Sequence, residues 1–235
     1  MGNHDAFIQD LTGQGVRALD RIDDLKRFLA FVEVDSNQRI SVWQSAQRDA
    51  RALAIICSMA ELEALTKSTL QGVHREINNS SLPVELLIPS VRQLTAHTIF
   101  ESLKELQDPA KMWEKRSYAT TLETCSEIAV FPILNNHPQP PLDGKTLKPQ
   151  HFERLWSIYS IPGYAFPKST WNASLTKLSL ARNDLAHGNL PFYEIFQQAG
   201  RSVSEIERYV NDIADFIAHF VNSWEDYMDN ERYRK

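Results

Sequence analysis

The sequence predicts an all-α fold, a helical bundle with one Pro-rich irregular loop at about residues 131–149. Three observations predict it. Apolar residues recur at helical spacing along most of the chain. Glycine is scarce, at 8 of 235 residues. No alternating apolar and polar run bounded by turn pairs marks a strand.

The elements follow in order. Val16, Leu19, Ile22, Leu25, Phe28 and Leu29 share a face and predict a first helix over about residues 15–33. Ser36-Asn37 offers a cap for a long second helix from about Arg39 to Ile77, carrying Val42, Ile55, Met59, Leu62 and Val73. Pro83 suits an early helical position, and a third helix is expected to reach Leu106 with a disturbance at Pro89. Pro109 restarts the chain into a helix that extends towards Ile128. Pro132, Pro138, Pro140, Pro141 and Pro149, crowded with Asn135, Asn136, Asp143 and Gly144, make the irregular loop. A short helix from Gln150 to Tyr159 ends near Pro162-Gly163, and another runs from about Thr170 until Gly188 stops it. The last spans about Ser204 to Tyr227, opened by Ser202-Val203-Ser204-Glu205 with the spacing of a capping box. No internal repeat or low-complexity segment divides the chain. One domain over residues 1–235 is expected, with its core at about 15–228.

Composition narrows the function classes. Hydrophobic residues make up 43% and charged residues 23%, ordinary for a globular protein of a size that needs no disulfides or structural metal. The two cysteines, Cys57 and Cys125, read as reduced thiols. The first residues lack the basic start and apolar run of a signal peptide, and Ala6 stands where a myristoylation motif needs Ser or Thr. The most apolar stretch, Ala52 to Ala60, is too short to span a bilayer. A cytoplasmic protein without membrane association is expected, and the Asn-x-Ser matches at Asn78, Asn79 and Asn172 are chance. A net charge of −5 argues against coating nucleic acid by bulk electrostatics, though not against a small basic cleft. Lys111, Lys115 and Arg116, and the tail residues Arg232, Arg234 and Lys235, read as solvated surface.

The sequence holds no phosphate-binding glycine loop, no His-Glu-x-x-His and no Cys-x-x-Cys. No histidine pairs at helical spacing with another His or Cys, and His97 with Glu101 supplies too few ligands for zinc. No metal or cofactor is expected. Glu61 and Glu63, two apart on a helix, point in different directions and form no carboxylate pair.

One segment carries chemistry. On a helical wheel Trp171, Leu175, Leu178, Leu185 and Ala186 form a stripe with Arg182 near its centre. A guanidinium keeps its proton, so on such a face it needs anions or acceptors. Either a core carboxylate pairs with it, or it is held in a cleft for a phosphate. Glu63, at the border of the stripe of Ala52, Ile56, Met59, Thr66 and Leu70, is a natural partner, or else it snorkels at the core edge. His187 follows Arg182 by five positions, about 140° around the helix, so one helix does not bring the two side chains together. Fraying at Gly188, or a second copy across a dimer, would.

Arg182-Asn183-Asp184-Leu185-Ala186-His187-Gly188 resembles the Arg-x4–6-His signature of the HEPN superfamily, the higher eukaryote and prokaryote nucleotide-binding domains. The polar residue directly after the arginine is typical of that motif. The stretch from Arg48 to Lys67 resembles the long helix that precedes it in the prokaryotic RiboL-PSP-HEPN-like branch. The likeness covers the layout of about residues 39–225, and only the Arg–His segment is specific. It implies a metal-independent endoribonuclease in which the ribose 2′-hydroxyl attacks the adjacent phosphate, giving 2′,3′-cyclic phosphate and 5′-hydroxyl ends. His187 would move protons, and Arg182 would stabilise the charge of the pentacovalent phosphate. Asn183 would orient the phosphate or the histidine, Asp184 either supports the site or simply faces water, and Glu63 would support it as the partner of Arg182. The resemblance further implies a homodimer whose two motifs line one cleft, an RNA substrate, a toxin or defence role, and an antitoxin or other regulatory protein as partner. Two other functions stay open: a catalytically silent HEPN domain that binds nucleotide, RNA or a protein, and a plain helical interaction protein in which Arg182 only pairs with Glu63.

Overall fold

The computed structural model describes residues 4–33, 41–103, 107–131, 142, 146–188 and 203–235. Among them the chain is all-α, and its only β contacts are isolated bridges. Helix α1 is Asp5–Glu33, α2 Ser41–Asn79, α3 Pro89–Arg92, α4 His97–Ser102, α5 Pro109–Thr121, α6 Pro149–Tyr159, α7 Ser169–His187 and α8 Val203–Asp229.

Helix α8 is the axis of the bundle. Ile206, Tyr209, Val210, Ile213, Phe216, Ile217, Phe220, Val221, Trp224, Tyr227 and Met228 recur at three- and four-residue steps, and all are buried. Their face packs against α1, α2 and α7. The aromatic members meet rings from α6 and the turn after it: Phe152 is edge-on to Phe216 at 4.8 Å, and Tyr159 edge-on to Trp224 at 4.9 Å. Such pairs add roughly 0.5–1.5 kcal/mol each beyond the area they bury.

Side-chain contacts fix the directions. Arg21 donates to both oxygens of Glu61, and Arg51 to Glu33, so α1 and α2 are antiparallel. Thr12 donates to Glu225 while Gly15 lies against Val221, and Ser174 donates to Asp212 while Lys168, just before α7, donates to Asp215, so α8 is antiparallel to α1 and to α7. The tail after α8 returns along the segment preceding α3, with Ile88 N–H donating to Tyr233 C=O and Lys235 N–H to Leu86 C=O. Buried His4 clasps the two ends of the chain, one ring nitrogen 3.0 Å from Glu76 and the other 2.8 Å from the Tyr233 hydroxyl.

Several expected boundaries move. Helix α1 starts at Asp5, ten residues before the expected position, and buries Leu11, Gly15, Ala18, Ile22, Leu29 and Val32. Val16 and Phe28, expected inward, are exposed. The expected third helix to Leu106 is instead broken into 3-10 turns and the short α3 and α4. The cause is non-local: Val84 and Glu85 donate to the carbonyls of Glu127 and Cys125, drawing the backbone away from helical bonding. Helix α5 stops at Thr121 for the same reason, because the chain beyond it pairs there. Asp108 caps α5 by accepting from Ala110 N–H at 2.9 Å, one residue before Pro109. Trp113, at the centre of the expected Lys111–Arg116 surface cluster, is 69% exposed with Arg116 over its ring.

Most of the Pro-rich loop, residues 132–141 and 143–145, lies outside the described residues, as does Ser202 of the expected capping box. The ends of the loop are described. Asn78 holds Phe131 through both its amide N–H and its C=O. Residues 146–148 lead directly into α6, with Pro149 at its first position.

Candidate functional site at the junction of α2 and α7

Helix α7 positions the segment singled out by sequence. Trp171, Leu175 and Leu178 are buried as the wheel predicts, and Ala181 joins them. Leu185 packs at the core edge, whereas Ala186, expected on the stripe, is exposed. Gly188 ends the helix in the left-handed region, at φ +63°, with its N–H turned back to Leu185 C=O. A side chain at that φ would be strained, so glycine is the residue this stop requires.

Arg182 lies six residues before the stop. Its guanidinium donates from Nη1 to Thr146 Oγ1 at 2.8 Å and from Nη2 to Glu63 Oε2 at 3.3 Å. The other Glu63 oxygen accepts from the Leu147 backbone N–H at 3.4 Å. One carboxylate on α2 thus ties together α7 and the segment that enters α6. The pairing of Glu63 with Arg182 is present, while Glu61 turns away to Arg21.

The ion pair is not buried. Arg182 keeps 30% of its side-chain surface and Glu63 26%, so the site opens to solvent where the wheel placed it in the core. A guanidinium has five N–H donors, and among the described residues these bonds engage two of them. Screening by solvent also limits what the pair contributes to stability.

His187 is exposed at the end of α7 and makes no hydrogen bond or ion pair with any described residue. The structure does not bring it to Arg182 within one chain, as the helical spacing requires. Asn183 and Asp184 are half-buried between them.

Sequence reasoning missed Thr146 and the Leu147 amide. Thr146 is 36 residues from Arg182 in sequence, at the end of the Pro-rich loop, and no periodicity or motif marks it. Among the described residues no group of three or more His, Cys, Asp or Glu is arranged to hold a metal ion, and no helix is long and apolar enough to cross a membrane.

The chain matches no family model, no curated protein and no solved structure.

Proposed function

We propose that this protein is a metal-independent endoribonuclease of the HEPN type, acting as a homodimer on RNA. The observation that carries the reading is the Arg182 guanidinium, oriented from two sides yet partly open to solvent, five residues before an exposed histidine at the helix end. Arg182 stabilises the charge of the phosphorane formed when the 2′-hydroxyl attacks the neighbouring phosphate. His187 transfers the proton, the general acid–base role for which an exposed imidazole is suited. The 2′-oxygen forms a bond to phosphorus as the bond to the 5′-oxygen breaks, leaving a 2′,3′-cyclic phosphate and a 5′-hydroxyl. The proton lost by the nucleophile is balanced by one delivered to the leaving group. Arg182 and His187 of different protomers would share a cleft, which answers their separation within one chain. A cytoplasmic toxin or defence effector, restrained by an antitoxin or other regulatory protein, is the role we infer from the resemblance.

One observation favours a second reading. Glu63 already offers Arg182 a negative charge within the same chain. A catalytically silent domain that binds nucleotide, RNA or a protein partner would need no more than that. Incubating wild-type protein and a His187→Ala variant with mixed RNA, followed by end-group analysis, separates the two. The nuclease reading expects cyclic phosphate and 5′-hydroxyl ends that the variant does not generate. Intact RNA with both proteins would leave the binding reading in its place.

A further inference from the structure

We propose that Thr146 is a positioning residue for a phosphate-binding Arg182, a role that rests on the functional reading above only for its kinetic consequence. Three observations carry it. Thr146 is 6% exposed, and its hydroxyl accepts the Arg182 Nη1 hydrogen at 2.8 Å, the shorter of the guanidinium's two bonds to described residues. The main chain that follows it is held at two successive residues. The Leu147 N–H donates to Glu63, and the Lys148 N–H donates to the His151 imidazole nitrogen at 2.9 Å. The Leu147 side chain is buried as well. Three successive residues are thus each tied to a different helix: Thr146 to α7, Leu147 to α2 and Lys148 to α6.

That arrangement has a chemical consequence. Arginine on a helix has a long, flexible stem, and an ion pair with a part-exposed carboxylate constrains it weakly. Glu63 alone leaves the guanidinium free to turn about its contact. A second bond from a buried, main-chain-anchored acceptor fixes the plane. The remaining N–H donors are then presented in one orientation to an incoming anion. Thr146 brings no negative charge, so it orients the cation without competing for the anion as a second carboxylate would. Fixing donors before the ligand arrives removes an ordering cost from binding, and in a reaction it keeps the charge aligned with the transition state.

Thr146→Val keeps the shape of the side chain and removes the acceptor, and Thr146→Ser restores it. The direct readout is titration of inorganic phosphate into wild type and both variants, followed at the Arg182 side-chain N–H resonance by NMR. The expected result is that the valine variant binds phosphate about 10-fold more weakly, the scale of one lost hydrogen bond, and that serine recovers most of it. In RNA cleavage the valine variant is expected to lower kcat by about 10- to 100-fold with little change in KM. Phosphate binding that is unchanged in the valine variant, or undetectable in wild type, overturns the proposal. Weakened phosphate binding in a protein that cleaves no RNA upholds Thr146 as the positioning residue and rejects the nuclease reading instead. Circular dichroism that reports a loss of helix in the valine variant moves the test to serine against wild type. A serine variant that fails to bind phosphate while folded overturns the proposal equally.

Discussion

Glu63 and Arg182 meet across 119 positions of sequence, and their contact is part-exposed. Its energy is therefore nearer that of a surface pair than of a buried one, where removing one partner costs several kcal/mol. Glu63→Gln is expected to destabilise the fold by about 1 kcal/mol, including the weakened bond to the Leu147 amide. A double-mutant cycle with Arg182→Ala, read by urea denaturation, should show non-additivity; additive losses would mean that the two do not interact in solution. The residue scale also shows what sequence can and cannot reveal. Arg182 was legible because a cation on an apolar stripe violates the pattern around it. Glu63 was legible as the acid bordering another stripe. Thr146 was not, because a threonine at the end of a loop breaks no rule, and its meaning comes wholly from where the fold returns it.

At the scale of elements, α7 and the long helix α2 were legible to within two residues, since each has a continuous stripe and a defined stop. The region from Pro83 to Leu106 was not. Its apolar spacing is helical, but Val84 and Glu85 donate to the carbonyls of Glu127 and Cys125, Ile88 donates to Tyr233 C=O and Leu86 C=O accepts from Lys235, pairings that no local pattern encodes. The inward face of α1 was misread because Val16 and Phe28 are exposed while two small residues, Gly15 and Ala18, are buried in their stead. Gly15 allows the close approach of α8: a methyl group there would lie 2.8 Å from Val221 Cγ2. Gly15→Ala gains roughly 0.5–1 kcal/mol of helix propensity but overpacks a stiff branched side chain at about 1–3 kcal/mol. The second effect wins. The urea midpoint should fall, with the slope unchanged. A rise in the midpoint would show that α1 and α8 do not approach this closely.

The tyrosines that join α6, α8 and the tail give the same elements a dependence on pH. Burial pushes the Tyr159 and Tyr227 phenols well above their ordinary value, and burial followed by the nearby Glu231 charge raises Tyr233 to about 12. A phenol whose folded pKa exceeds its unfolded one favours folding while neutral. The stability it contributes is complete below pH 10 and is lost as pH rises through the folded value. Between about pH 10 and 12 the protein should become progressively easier to unfold, while phenolate absorbance from Tyr159 and Tyr227 appears only with the loss of helix. Full ionisation of all seven tyrosines in a still-helical protein would contradict the packing described for α6 and α8.

For the whole molecule the fold class was legible and the assembly is a prediction. A single chain leaves Arg182 anchored at the α2–α7 junction and His187 exposed at the end of its helix. A composite site requires a dimer whose interface includes residues near 182–190. Light scattering at micromolar concentration should report two chains. Mixing Arg182→Ala with His187→Ala protein should restore part of the activity that each lacks, because one cleft of the mixed dimer then holds both residues. A monomer with full activity would contradict this.

The most direct measurement is cleavage of single-stranded RNA in EDTA, set beside DNA of the same sequence, for wild type, Arg182→Ala and His187→Ala. DNA lacks the 2′-hydroxyl nucleophile, so only RNA should be cut. Loss of Arg182 should slow cleavage by about 10²–10³-fold and loss of His187 by about 10²–10⁴-fold, with both variants folded by circular dichroism. Cleavage that requires added Mg²⁺, that cuts DNA equally well, or that survives His187→Ala would contradict the account.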